Sequence, residues 1–134
     1  MMQTWTEKLS LPKRSHKKRL NKAVAGMPAG ALMYISTPIE IDEYINAIPH
    51  GHSVSIHQMR AELAKRNQAD CTCPLTTGIF LRIVAEAAFE RIQNSGSSRI
   101  TPFWRLIDPG ASIVKKLTFG SAFIEKMRAE ESIL

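Results

Sequence analysis

The sequence predicts an α/β fold, mainly helical, built on a helix-turn-helix or winged-helix unit between residues 48 and 107. Two segments with helical periodicity, 56–66 and 75–92, are separated by a short connection that contains proline. An apolar segment at 100–107 follows, and a second apolar run at 113–117 is predicted to pair with it as a small β wing. The length of 134 residues suits one domain with its own hydrophobic core.

The composition is that of a globular protein whose charge favours a polyanionic partner. Hydrophobic residues make up 44% of the chain, and no apolar run reaches the roughly 18–20 residues that a membrane span needs. The net charge of +6 favours nucleic acid first and an anionic surface second, with solubility alone as the alternative. The basic N-terminus lacks the apolar stretch of a signal peptide, so we expect a cytoplasmic protein with no membrane partner.

Residues 1–30 are predicted to form a basic N-terminal arm and linker, ahead of a domain at 31–134. Basic side chains crowd into ten positions of the arm: Lys13, Arg14, His16, Lys17, Lys18, Arg19 and Lys22. Such a block is typical of a disordered interaction tail or of a solvated helix face. Gly26, Pro28 and Gly30 mark the linker.

The next segments are a short strand at 31–36 and an amphipathic helix at 38–47. Thr37 can cap this helix, Pro38 suits its first position, and Glu40 can complete a capping box. Apolar residues at helical spacing define its core face: Ile41, Tyr44, Ile45 and Ile48.

Ser55 and Gln58 form a second capping box, which predicts the helix 56–66 with Met59 and Leu63 buried. Residues 67–74 are predicted to be a loop. The longer helix 75–92 should bury one wide apolar face, consisting of Ile79, Phe80, Ile83, Val84, Ala87, Ala88 and Ile92. Its charged residues are predicted to lie outside that face: Arg82, Glu86, Glu90 and Arg91. A flexible loop at 93–99 and a closing helix at 121–131 complete the prediction.

The cysteines predict neither a disulfide nor a metal site. Cys71 and Cys73 are one residue apart, a poor spacing for a mutual disulfide, and a zinc site would need two further ligands. No glycine-rich phosphate loop or paired metal-ligand motif is present, so we expect no cofactor and no metal. Cys73 is a weak candidate nucleophile, because it precedes Pro74 at a helix start, where the helix dipole favours a thiolate.

Four stretches occur in an order that resembles the DNA-binding domain of the O6-alkylguanine-DNA alkyltransferases and of their non-catalytic relatives, the alkyltransferase-like proteins. They are Ile48-Pro49-His50-Gly51, Ser53-Val54-Ser55-Ile56-His57-Gln58, Pro102-Phe103-Trp104-Arg105-Leu106 and Met127-Arg128-Ala129-Glu130-Glu131. The resemblance covers about residues 39–133. An uncharacterised branch that lacks the acceptor cysteine is more similar still, through Cys73 to Phe80 and Pro102 to Arg105.

The chain departs from the family's enzymes where their chemistry takes place. The resemblance implies an acceptor cysteine at the position of Phe103 and an assisting histidine at the position of Trp104. Neither aromatic side chain can accept an alkyl group, so alkyl transfer is not expected here. Ile56 replaces the family's tyrosine. The intercalating arginine of the family corresponds either to Arg82 or, in a gapless alignment, to Gly78.

The resemblance and the charge together imply binding to double-stranded DNA through the helix 75–92 and the basic arm. The expected DNA-contacting residues are Ser55, His57, Gln58, Thr76, Thr77, Arg82, Lys13, Arg14, Lys17, Lys18 and Arg19. A pocket for an alkylated base would be lined by Phe103, Trp104 and Arg105. Alternatively, Trp104 is a core aromatic and Arg105 is architectural. Two other readings stay open: a protein-interaction module that kept the fold without DNA binding, and an alkyltransferase that uses Cys73 as acceptor.

Overall fold

The computed structural model describes residues 4–96 and 100–133, and it confirms a mixed α/β fold that is mainly helical. In chain order the elements are α1 (Trp5–Ser10), β1 (His16–Arg19), β2 (Leu32–Ile35), α2 (Pro38–Asn46), α3 (Ile56–Arg66), β3 (Cys71–Thr72), α4 (Pro74–Ser95) and α5 (Ala122–Glu130). Two short 3-10 helices, Phe103–Arg105 and Ser112–Lys116, lie between α4 and α5.

The predicted caps of α2 and α3 are confirmed. The Thr37 hydroxyl accepts a hydrogen bond from the Glu40 amide at 3.1 Å, and the Ser55 hydroxyl accepts one from the Gln58 amide at 3.0 Å. Each hydroxyl satisfies an amide that has no partner inside the helix, which fixes where the helix begins. The Glu40 carboxylate does not complete the capping box as predicted; it accepts the Tyr34 hydroxyl instead, at 2.7 Å.

The core forms where α2, α3, α4, α5 and the segment 103–107 meet. Its fully buried side chains include Ile41, Ile45, Met59, Leu63, Leu81, Val84, Phe103, Ile107 and Ile124. The burial of Met59 and Leu63 confirms the apolar face predicted for the helix 56–66. A smaller apolar cluster, which includes Met27, Met33 and Cys73, packs at the sheet.

The predicted arm and linker do not stand apart from the domain. Residues 16–19 form β1, which pairs antiparallel with β2, and β3 pairs parallel on the other side of β2. The helix α1 packs against α4. The arm is therefore an integral strand and helix, and the loop predicted at 67–74 contains β3. The predicted strand at 31–36 is confirmed as β2.

The small β wing is absent from residues 100–133, where the structure has helical turns instead. The segment predicted as the second strand of the wing forms the 3-10 helix Ser112–Lys116. The segment 100–107 contains the 3-10 helix Phe103–Arg105. Helical turns at both segments leave no extended backbone to form a ladder between them.

The helix α4 runs further than predicted and is oriented differently. It reaches Ser95, and Gly96 ends it in the left-handed conformation, with a φ of 63°. Ile79 is 51% exposed although it was predicted to be buried, whereas Glu86, predicted to be outside the core, is only 2% exposed. The Glu86 carboxylate accepts the amide and the hydroxyl of Thr118, which offsets the cost of burial. Residues 97–99 of the predicted loop lie outside the described residues.

Glu90 holds the N-terminus of α1. Its carboxylate accepts the Trp5 amide at 3.2 Å, the Thr6 amide at 3.1 Å and the Thr6 hydroxyl at 2.7 Å. Burial alone would raise the pKa of Glu90, but the hydrogen bonds from Thr6 and Trp5 outweigh it and lower the pKa. No residue of α1 is fully buried, although Leu9 packs against the core, so these hydrogen bonds are a substantial part of the attachment of α1 to α4.

Replacing Glu90 by Ala is therefore expected to detach α1 and to leave the remainder of the fold intact. The loss of a helix-capping carboxylate should lower the free energy of unfolding by about 1–2 kcal/mol. Hydrogen exchange of the α1 amides measures this directly, and Glu43→Ala, at an exposed position of α2, is the control. Unchanged protection of α1 in the Glu90→Ala variant would show that other contacts hold this helix.

Candidate nucleic-acid interface

The strand β1 presents cations to solvent on both of its faces. All four of its residues, His16 to Arg19, are exposed. The chain carries no Asp or Glu between Glu7 and Glu40, so the strand has no acidic neighbour in sequence. None of the ion pairs recorded within 4–96 and 100–133 involves a residue of this stretch. The charge of β1 is thus free to act on a partner rather than being neutralised within the fold.

A side-chain hydrogen bond joins β1 to the C-terminal end of α3. The Lys17 ammonium donates to the Asn67 carbonyl at 3.0 Å, immediately after α3 ends. Lys65 and Arg66 occupy the last turn of α3 and are exposed. The structure therefore places exposed cations from two parts of the sequence near one another, and we call these residues the basic face: Lys13, Arg14, Lys17, Lys18, Arg19, Lys65 and Arg66. One exposed carboxylate, Asp70, lies beside it and accepts the Leu32 amide.

Three of the expected DNA contacts lie at the other end of α3. His57 and Gln58 are exposed in its first turn, and Ser55 is exposed at the cap. The rise of 1.5 Å per residue places them roughly 15 Å from Asn67 along the helix. The exposed side of α3 thus continues from the basic face, and the oxygen of Ser55 is already occupied by the cap.

The expected contacts on α4 are not presented as predicted. Thr77 is 1% exposed, and its hydroxyl donates to the Cys73 carbonyl at 2.6 Å, so it lies in the core rather than at an interface. The Arg82 guanidinium lies 5.1 Å from the Trp5 ring, and its Nε is 3.9 Å from the Glu86 carboxylate. The hydroxyl of Thr76 is buried without a hydrogen-bond partner within the described residues.

The N-terminal half of α4 is apolar where it meets solvent. Leu75 is 71% exposed and Ile79 is 51% exposed. Gly78 and Arg82, the two positions that could match the family's intercalating arginine, both line a groove beside them. Major-groove recognition needs hydrogen-bonding side chains on the exposed face of the helix, which Leu75 and Ile79 do not supply.

The predicted lesion pocket is part of the core. Phe103 is fully buried and contacts the rings of Trp104, Phe119 and Phe123, with centroids 5.4 to 5.8 Å away. Trp104 is 4% exposed. Both aromatic residues fill space between helices. Trp104 borders an open cleft, but at 4% exposure it presents little ring surface on which an extruded base could stack.

Glu131 connects three separate parts of the chain around Trp104. Its carboxylate accepts the Trp104 indole N–H at 2.7 Å, the Arg105 Nε at 2.9 Å and the Gly51 amide at 3.0 Å. Arg105 also donates to the Ile48 carbonyl at 2.8 Å. Arg105 is therefore architectural, because its guanidinium is used inside the fold.

The same hydrogen bonds determine how Glu131 titrates. Burial alone would raise its pKa, but hydrogen bonds from Arg105, Gly51 and Trp104 and the charge of Arg105 lower the pKa to about 2. Glu131 is thus a buried carboxylate held in its ionised form at neutral pH. The sequence assigned Glu131 no role, although it lies in the 127–131 stretch that carries the resemblance. No local pattern of residues indicates that Glu131 is buried while the adjacent Glu130 is exposed.

An open cleft of about 730 Å³ lies beside Trp104 and Arg105. Asp42, Glu130 and Glu131 line it together with Arg91 and Arg105, so its lining has no excess of positive charge. A phosphate backbone would not be attracted to such a surface. The cleft therefore does not provide the predicted pocket for an alkylated base in DNA.

The cysteines are reduced and partly or fully enclosed. Cys73 is 8% exposed in the apolar cluster with Met27 and Met33. Burial and the nearby Asp70 raise the pKa of the Cys71 thiol, which disfavours the reactive thiolate. Within residues 4–96 and 100–133, no group of three or more His, Cys, Asp or Glu side chains is arranged to hold a metal ion.

Comparison with models of known protein families, with curated protein sequences and with solved structures finds no match for the chain. In the part of the chain that the structure describes, no helix is long and apolar enough to cross a membrane.

Proposed function

We propose that this chain is a non-enzymatic protein that binds double-stranded DNA through the basic face and the exposed side of α3. The observation that carries the proposal is the set of exposed cations on β1, none of which forms an ion pair with an acidic side chain within residues 4–96 and 100–133. Exposed cations of this kind suit the phosphates of a duplex. His57 and Gln58 lie on the same side of α3 and are placed to contact base edges or sugars.

Duplex DNA fits this surface better than single-stranded nucleic acid does. Proteins that bind single strands combine cations with aromatic side chains on which bases stack. The aromatic rings recorded beside the basic face offer little stacking surface: Tyr44, 5.3 Å from the Arg66 guanidinium, and Tyr34 on β2 are buried, and Phe80, 5.7 Å from the Lys13 ammonium, is half-buried. The proposed contacts are therefore mainly to the sugar–phosphate backbone.

The relationship to alkyltransferase-like proteins remains a proposal, and the Glu131 cluster supports it. Glu131 hydrogen-bonds residues of the matched stretches 48–51 and 102–106 and itself ends the matched stretch 127–131. Stretches selected only for resemblance thus converge at one buried site. The winged-helix form of the fold belongs to the same proposal, supported by the order of α2, α3 and α4 but not by a wing. The burial of Phe103 and Trp104 argues against recognition of an extruded base.

Neutralising the basic face is expected to weaken DNA binding. Arg14→Gln combined with Lys18→Gln should weaken binding to a duplex by about tenfold at low salt, because two phosphate contacts are lost. Lys115→Gln combined with Lys126→Gln removes the same net charge from exposed positions elsewhere and is the matched control. Fluorescence anisotropy with a labelled duplex at two salt concentrations measures both variants.

The same titration separates the alternatives. Wild-type affinity should fall by roughly 100-fold between 50 and 200 mM salt if about four phosphates are contacted. Equal loss in the two charge variants would mean that the basic face is not the site. If the wild type shows no detectable binding to the duplex at low salt, the result would favour the hypothesis of a protein-interaction module that does not bind DNA. Equal affinity for plain and O6-alkylguanine duplexes is expected, and mass spectrometry should find no methyl adduct on the buried Cys73.

A further inference from the structure

A groove of about 600 Å³ runs between the N-terminal half of α4, the helix α1 and the 3-10 helix Ser112–Lys116. Its apolar part is formed by Leu75, Ile79 and Ile113. Leu75 and Ile79 are the most exposed large apolar side chains in the part of the chain that the structure describes, at 71% and 51%. They are one helical turn apart on α4, so they form one continuous ridge. Exposed apolar surface of this kind is typical of an interaction site.

The rim of this groove carries cations and no carboxylate. Lys8, Arg82 and Lys116 line it, and no Asp or Glu is among its lining residues. Trp5 orients two of the cations, because its ring lies 4.2 Å from the Lys8 ammonium and 5.1 Å from the Arg82 guanidinium. Cation–π contacts of this length fix the charged ends near the ring. The Arg82 charge is shared with the buried Glu86 carboxylate 3.9 Å away, so Lys8 and Lys116 supply most of the positive edge beside the apolar floor.

We infer that this groove binds a partner protein through an amphipathic helix with acidic flanks. Apolar side chains spaced one helical turn apart on such a helix match the ridge of Leu75 and Ile79. Carboxylates beside them match Lys8, Arg82 and Lys116, which charge complementarity favours over a basic or neutral segment. Duplex DNA does not fit, since Leu75 and Ile79 offer nothing to a phosphate and leave apolar surface against the backbone.

This site is separate from the basic face, so the two proposals can fail independently. The basic face is formed by β1 and the end of α3, whereas the groove is formed by α1, α4 and the turn at 112–116. Lys13 of the basic face does approach α4, with its ammonium 5.7 Å from the Phe80 ring, but Phe80 does not line the groove. Loss of DNA binding and loss of peptide binding are thus expected in different variants.

The test uses the full chain and a synthetic helical peptide that carries leucines spaced four residues apart and glutamates on both flanks. Leu75→Ser combined with Ile79→Ser should weaken peptide binding at least about tenfold, as removal of central apolar anchors does. Val24→Ser combined with Ile39→Ser alters two other exposed apolar positions, at 45% and 46% exposure, and should leave it unchanged. Isothermal titration calorimetry measures affinity, and tryptophan emission reports contact at Trp5, since Trp104 is buried.

Binding that is lost only in the Leu75/Ile79 variant, with a shift in Trp5 emission, would support the inference. Equal binding of a peptide with lysines in place of the glutamates would overturn it, because charge would then play no part. No binding of the acidic peptide, or equal binding to both variants, would overturn it as well. So would a dimer of the free chain that the Leu75/Ile79 substitution dissociates, or a loss of duplex binding confined to that variant.

Discussion

Replacing Glu131 by Gln is expected to lower the free energy of unfolding by about 3–5 kcal/mol. The carboxylate is 8% exposed and is paired with Arg105, whose side chain is 14% exposed. Without the negative charge, the Arg105 guanidinium would remain largely buried with no counter-ion, and hydrogen bonds to Trp104 and Gly51 would weaken. Breaking a buried pair from one side costs more than an exposed pair contributes, since solvent cannot replace the lost partner.

The neighbouring residue provides the control for this variant. Glu130 is exposed, so Glu130→Gln should change stability by less than about 0.5 kcal/mol. Urea unfolding followed by circular dichroism measures both variants. A Glu131→Gln protein as stable as the wild type would mean that the cluster around Trp104 contributes little to the fold.

The same carboxylate makes stability depend on pH. Its pKa in the folded protein is about 2, below the ordinary value of 4.5. A lowered pKa contributes stability that is fully present above pH 4.5 and is lost as the pH falls toward 2. The stability difference between wild type and Glu131→Gln should therefore be largest at neutral pH and shrink between pH 4.5 and 2. Other carboxylates titrate in both proteins, so the difference isolates Glu131.

Phe103→Ala is expected to destabilise the protein by about 3–5 kcal/mol, because it leaves a cavity in a core that cannot collapse around it. Phe103 is 0% exposed and contacts the rings of Phe119 and Phe123 as well as Trp104. Phe103→Leu keeps most of the volume and should cost less than about 1.5 kcal/mol. Thermal or urea unfolding gives both values. A small loss in Phe103→Ala would indicate that position 103 borders open space, as a lesion pocket would require.

Local signals in the sequence predicted the helices well. Ser55 and Thr37 place polar oxygens directly before apolar residues at helical spacing, and both helices begin there. Such signals need only a few neighbouring residues, so they can be read without knowledge of the fold. The alternative that Trp104 is a core aromatic follows from its apolar neighbours, whereas the architectural role of Arg105 was implied by the resemblance; both side chains are used in this way.

Long-range contacts account for the errors. Nothing near Lys17 and Lys18 in the sequence indicates a strand; they form one because β2 offers an edge with which they pair. The burial of Glu86 depends on Thr118, which lies 32 positions away in the chain. Ile79 is exposed because α1 and the turn at 112–116 leave a groove above it rather than covering it. Periodicity reports which side of a helix is apolar, but not whether another element covers that side.

The position of β1 at the edge of the sheet gives its lysines a second consequence. An edge strand exposes unpaired amide and carbonyl groups, to which a strand of another molecule can add. Lys17 and Lys18 lie on this edge strand with their side chains on opposite faces of the sheet, and a second copy pairing with it would bring the same charges together. Charge repulsion at the edge thus discourages sheet extension between molecules. Apolar, β-branched substitutions in β1 would remove this protection together with the charge, so its cations contribute to solubility even when no partner is bound.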